Sequence, residues 1–152
     1  MTTTQPLQSS TRDTGVPLAP VAVVVTIATL ALDAFGVWGY GSTDSNAGVE
    51  MIVTAALTLA SAGVVFGLVL PRALRSDNPG RTGLVLSVIA LLVSVPLFWA
   101  GIAPVLAVGG ILAGRAGASA PQGRRLATAA FVVGLLAIIA CLGTYAGDWL
   151  SH

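Results

Sequence analysis

Residues 82–114 read TGLVLSVIALLVSVPLFWAGIAPVLAVGGILAG, 33 residues without a charge between Arg81 and Arg115. A hydrocarbon core about 30 Å thick takes ~20 apolar helical residues, with a range of ~17–25. The stretch is too long for one comfortable span and short for two. Pro96 and Pro104 lie inside it with Gly101 between them. Proline removes a backbone donor and crowds the preceding turn, so it kinks or ends a helix. The sequence therefore predicts a kink at Pro96, a tight turn over 100–104, and Pro104 in the first turn of the next helix, where its missing N–H is tolerated.

Charge favours two crossings over one. The chain has seven Arg and no Lys; Arg72, Arg75 and Arg81 precede the stretch, and Arg115, Arg124 and Arg125 follow it. Short loops rich in basic residues stay cytoplasmic. A single crossing would put one cluster outside, whereas a hairpin over 82–100 and 103–115 keeps both inside. The second limb is the short one, about 20 Å of helix at 1.5 Å per residue. The alternative is four spans, with 82–114 a single kinked or re-entrant element.

The rest of the chain fits around that hairpin. Only 9 % of the 152 residues are charged, against about 25 % in soluble domains, and mean hydropathy is +0.91. The expectation is one all-α integral membrane bundle of five spans: 21–40, 49–70, 82–100, 103–115 and 126–147. Residues 1–20 are polar and rich in Thr, Ser, Gln and Pro, and are expected to be a disordered cytoplasmic tail. The apolar run after them is long enough to span, which favours a retained helix over a cleaved signal peptide. Pro71 is expected to end the second span, and 148–152 to form a short outer tail. The N-terminus then lies inside and the C-terminus outside, in the plasma (inner) membrane. All five Trp and Tyr residues (Trp38, Tyr40, Trp99, Tyr145, Trp149) fall at outer ends, where such rings favour the interface. A shift of 43 residues places Gly67, Arg72, Ala73, Ser76, Gly80 and Arg81 on Gly110, Arg115, Ala116, Ser119, Gly123 and Arg124, a faint repeat of a helix, basic loop, helix unit.

Helices in lipid associate through close approach at small residues. Each span carries a line of them at steps of three and four: Ala22, Thr26, Thr29, Asp33, Gly36; Ala56, Ala60, Gly63, Gly67; Gly83, Ser87, Ala90, Ser94; Ala103, Ala107, Gly110, Gly114; Ala127, Ala130, Gly134, Ala137, Cys141. Gly63 with Gly67, and Gly110 with Gly114, suit either the internal bundle or an interface with another chain.

Asp33 lies in the first line, about 10 Å of helix in from Tyr40. An acid in a span costs ~2.5–3.5 kcal/mol on insertion scales, and such residues face protein or water. No Arg lies at that depth to pair with it. Three readings stay open: a proton or cation site, a neutral helix contact hydrogen-bonded to Thr, Ser or a backbone carbonyl, or an acid reached by water from the outer leaflet. Glu50 opens the second span at the interface, Cys141 is a single core thiol and His152 a lone terminal imidazole. No catalytic constellation, phosphate-binding loop, metal-ligand set or cofactor motif is present in the sequence. The Arg clusters are accounted for by topology, so no nucleic acid partner is expected.

The run Gly80-Arg81-Thr82-Gly83-Leu84, then Gly109-Gly110-Ile111-Leu112-Ala113-Gly114-Arg115, then Gly123-Arg124-Arg125-Leu126-Ala127 before a last span resembles small actinobacterial Gly/Ala-rich membrane proteins classed as domains of unknown function. The resemblance covers about 67–147. It implies an inner-membrane location and supplies no functional residues. The functional expectation is a non-enzymatic accessory or scaffold subunit that binds another membrane protein, or itself, through Gly/Ala seams. The alternative is a small channel, transporter or proton-coupled component built on Asp33.

Overall fold

A computed structural model describes residues 18–38, 46–118 and 123–151. No strand occurs among them. Five helices follow in order: α1 (Leu18–Trp38), α2 (Ala47–Arg75), α3 (Pro79–Val93), α4 (Ile102–Gly117) and α5 (Gly123–Ser151). The expected tail over 1–20 lies almost wholly outside the described residues, as do Tyr40 and His152.

Three helices are long and apolar enough to cross a membrane, over Leu18–Val37, Ala47–Arg75 and Gly123–Asp148. The helix number matches the five expected spans; the lengths do not. α3 has 15 residues and α4 has 16, about 22–24 Å each, short of a 30 Å core. The expected first limb ended at 100, but α3 stops at Val93. The residue before a proline is disfavoured in the α region, and the chain ahead of Pro96 leaves the helix. Ser94 Oγ donates back to the Leu91 carbonyl at 2.7 Å, and Leu97 N–H to the Val93 carbonyl at 3.0 Å. A 3₁₀ turn over Phe98–Ala100 leads to Gly101, which has φ +64°, and α4 starts at Ile102 with Pro104 in its first turn. The place of Pro104 is as the sequence indicates, whereas the turn lies earlier than the expected 100–104, and Pro96 falls in it rather than at a kink within a helix.

Two other ends also differ from expectation. α2 does not stop at Pro71 but runs on to Arg75. An α-helical register would press the Pro71 ring on the Gly67 carbonyl. Instead Gly63–Val69 winds as π-helix, with Leu70 N–H on the Val65 carbonyl, and the wider turn carries the helix past the proline. α5 continues through the expected tail to Ser151.

Packing inverts the pattern of a water-soluble protein. Ala, Gly, Ser and Thr fill the interior, whereas Val24, Ile27, Ile52, Leu68, Leu92 and Ile139 are more than half or nearly half exposed. Helices α3, α4 and α5 form a close trio, and α1 and α2 pack on it mainly through α4. α4 is therefore covered on both sides: Ala103, Val105, Ala107, Gly110, Ala113 and Gly114 are all buried. A helix enclosed by protein need not match the bilayer, which explains how the limb too short to span is the best-buried one.

Four of the five small-residue lines face inward. A Cβ on Gly83 would lie 2.6 Å from the Gly110 carbonyl and 2.7 Å from Gly114 Cα; one on Gly110 would lie 2.8 Å from Ser87 N; one on Gly134, 2.8 Å from Ile111. Ser87 Oγ closes the α3–α5 seam, donating to the Ala130 carbonyl at 2.8 Å. The α2 line points the other way. Ala56, Ala60, Gly63 and Gly67 are exposed, and a Cβ at Gly63 or Gly67 would meet nothing within 4 Å. The buried face of α2 is instead Thr54, Thr58, Ala62 and Val65. The 43-residue repeat stays in the sequence: α4 and α5 pack along their length, while α2 and α3 barely touch.

Candidate functional site

Arg72, Arg75, Arg81, Arg115, Arg124 and Arg125 are exposed, and chain direction brings all six to one end of the bundle. There Gly80, Gly117 and Gly123 press the ends of α3, α4 and α5 together. Asp33 lies toward the opposite end, where Glu50 and Asp148 are the other charges among the described residues.

Three segments converge on Asp33 of α1, which is 3 % exposed. Tyr145 of α5 brings its hydroxyl to 2.8 Å from Asp33 Oδ1, and Thr58 of α2 brings its own to 3.2 Å from Oδ2. Both hydroxyls also reach the turn between α3 and α4: Tyr145 Oη is 3.1 Å from the Phe98 carbonyl and Thr58 Oγ1 is 3.4 Å from the Ala100 carbonyl. The Ala100 contact has a local cause. Four residues on is Pro104, which has no N–H to give a helical bond, so the carbonyl turns to a side chain.

Each partner is held by more than its hydrogen bond. The Tyr145 ring stands edge-on to Phe98, with centroids 5.3 Å apart and planes at 85°, and lies against Gly36 one turn above Asp33. Gly101 presses its backbone into the cluster. A Cβ there would collide with Thr58 Oγ1 and lie 2.8 Å from Asp33 Oδ2 and 3.0 Å from the Thr29 methyl, and its φ of +64° already favours glycine. Cys141, buried one turn below Tyr145 on α5, closes the cluster toward the core.

The short hairpin leaves room above its tip. A cleft of about 570 Å³ lies between the first turns of α2 and the turn, lined by Asn46, Val49, Glu50, Val53, Thr54 and Trp99. Thr58, Thr54 and Glu50 follow one another at steps of four on α2. A polar line thus runs from the buried acid to the mouth of the cleft, though Thr54 Oγ1 itself donates to the Glu50 carbonyl at 2.9 Å.

The residues singled out from the sequence fall into three groups. Asp33 is at the centre of a real constellation. Gly110, Gly114 and Gly134 are contact points inside the bundle, whereas Gly63 and Gly67 are open. The six Arg residues cap one end and touch none of this. By position Tyr145 reads as an interface anchor, yet it is turned inward onto Asp33. Thr58 belongs to none of the small-residue lines, though a signal for it exists: Thr54 and Thr58, four apart in an apolar span, mark a polar face. Among the described residues no three His, Cys, Asp or Glu side chains come close enough to hold a metal. Family models, characterised proteins and solved structures give no match to this chain, so the site is read from its own geometry.

Proposed function

We infer that this is a small non-enzymatic membrane protein of the plasma membrane that works as an accessory or scaffold subunit, joining α2 to a helix of another membrane protein or of a second copy. The reading rests on one observation, the open Gly63/Gly67 face. The other glycine pair placed on a seam, Gly110 with Gly114, is filled by neighbouring helices, while Gly63 and Gly67 meet nothing within 4 Å, as Gly143 and Gly147 near the end of α5 also do. Small residues four apart on a lipid-facing helix permit the close backbone contact that holds helices together in a bilayer. A Cβ at either position meets nothing inside the bundle, so Leu variants test association, with helix content by circular dichroism as the check on the fold. Purification of the tagged full chain from its native membrane is expected to bring a stoichiometric membrane partner or a dimer, lost in Gly63→Leu/Gly67→Leu. A parent protein that purifies alone as a monomer refutes the reading.

The polar line from Asp33 to the cleft supports a second reading, a proton- or cation-coupled component. Its test is ion flux in liposomes: Asp33→Asn abolishes flux if this reading holds, and a parent without flux excludes it.

A further inference from the structure

Among the hydrogen bonds of the described residues, the cluster around Asp33 has more acceptors than protons. Two hydroxyls, on Tyr145 and Thr58, face two carboxyl oxygens and the carbonyls of Phe98 and Ala100. Each hydroxyl has one proton to give. If Asp33 is ionised, both are drawn to the carboxylate, because a bond to a charged acceptor is roughly twice as strong as one to a neutral carbonyl. Neither turn carbonyl then receives one. If Asp33 carries a proton, the cluster holds three. The acid donates to one hydroxyl, and that hydroxyl passes its own proton on to the turn. The route Asp33 Oδ1–H to Tyr145 Oη, and Tyr145 O–H to the Phe98 carbonyl, has the shorter distances, 2.8 and 3.1 Å. The route through Thr58 to Ala100 runs at 3.2 and 3.4 Å.

The geometry points to Asp33 as a proton-binding site whose occupancy is read by the hairpin tip: a bound proton pins the 98–101 turn through Tyr145 or Thr58, and its departure releases the turn. Little else has to move. Tyr145 is kept in place by Phe98 and Gly36, so only the O–H rotates. Exchange of the proton with water is assigned to the cleft, which Thr54 and Trp99 of the same turn line and which does not reach Asp33 itself. Among the described residues, the groups facing Asp33 leave it as the titrating centre. From α5 come Tyr145 and Cys141, from α2 the neutral Thr58 with Glu50 two turns above at the mouth, and from the turn and α4 no titratable side chain. Asp148 is one turn beyond Tyr145. Among the described residues every Arg is at the far end. This inference does not depend on either functional reading, since it concerns where a proton binds and what it moves, and not what is carried or joined.

The test is made on the full chain in liposomes, with Trp38→Phe and Trp149→Phe so that Trp99 is the sole emitter. Infrared difference spectra over the full pH range in which the protein stays folded report the C=O stretch of protonated Asp33, and Trp99 emission reports the turn. The expected result is one-proton titration of both signals with the same midpoint. Asp33→Asn, whose amide donates as the neutral acid does, should keep the acid-side emission at every pH. Tyr145→Phe with Thr58→Val should keep the infrared titration and lose most of the Trp99 shift. The proposal is overturned if no Asp33 band titrates, if the band titrates while parent Trp99 emission stays flat, or if the emission shift persists in Asp33→Asn. Helix content by circular dichroism confirms that each variant is folded.

Discussion

Gly101 is where residue-scale physics is most constrained. Its φ of +64° places a left-handed residue at the start of α4, and a side chain in that conformation costs roughly 1–2 kcal/mol before any contact is considered. The contacts then add to it, because a methyl at Gly101 runs into Thr58 and Asp33. Gly101→Ala is expected to destabilise the bundle by at least ~1–2 kcal/mol in reversible unfolding in detergent. Gly63→Ala, which meets nothing, should be nearly neutral in the same assay. Equal effects would mean that the turn does not press on the cluster. Asp33 was legible in the sequence because a lone acid in an apolar span stands out and its small-residue line set which way it faces. Its partners were not. Tyr145 is 112 residues away, and as an aromatic near a helix end it fits the interface rule equally well. The choice between facing lipid and facing Asp33 is made by Gly36 and Phe98, contacts with no trace in local periodicity.

At the scale of elements, composition and charge gave five helices and the hairpin, and small-residue spacing identified four buried faces. The failures have particular causes. Pro71 looked like a stop because an α-helical register cannot absorb it, and the π-helical turn over Gly63–Val69 is a tertiary accommodation. The α2 line stays open between an internal seam and an outward face in the sequence, because Gly and Ala mark a face able to pack closely without saying whether anything packs there; inside this chain nothing does. Thr54 and Thr58, less conspicuous, mark the face that packs inward. Where small residues are truly enclosed the consequence is severe. α3 and α4 touch backbone to backbone at Gly83, Gly110 and Gly114, and a Cβ on Gly83 cannot fit unless the helices part. Gly83→Ala is expected to cost ~1–3 kcal/mol, the range for overpacking a core, and Gly67→Ala little. Unfolding midpoints for the two variants decide it, and a tolerated Gly83→Ala would contradict the close α3–α4 approach.

At the scale of the whole molecule, sidedness does not depend on whether the two short helices span. α3 leaves the Arg end and α4 returns to it, so the hairpin begins and ends on one side whatever depth its tip reaches. The tip meets Asp33, five residues before the end of α1, or about 7 Å of helix, so it stops short of that end of α1. Three long helices then decide the sides, and they place the first described residues and the last at opposite ends. The charges are as polarised as the topology: six Arg at one end, and only acids among the described charges at the other. Basic ends stay cytoplasmic, so Ser76 should face the cytoplasm and Ser151 the outside. Both are exposed, and with Cys141→Ala as background each can carry a single thiol. In intact cells a membrane-impermeant maleimide is expected to label Ser151→Cys, and to label Ser76→Cys only after permeabilisation. The reverse pattern would turn the protein over and open the Asp33 cleft to the cytoplasm. Labelling of both in intact cells would mean that α1, α2 and α5 do not all cross, and the parity of three long helices would fail with it.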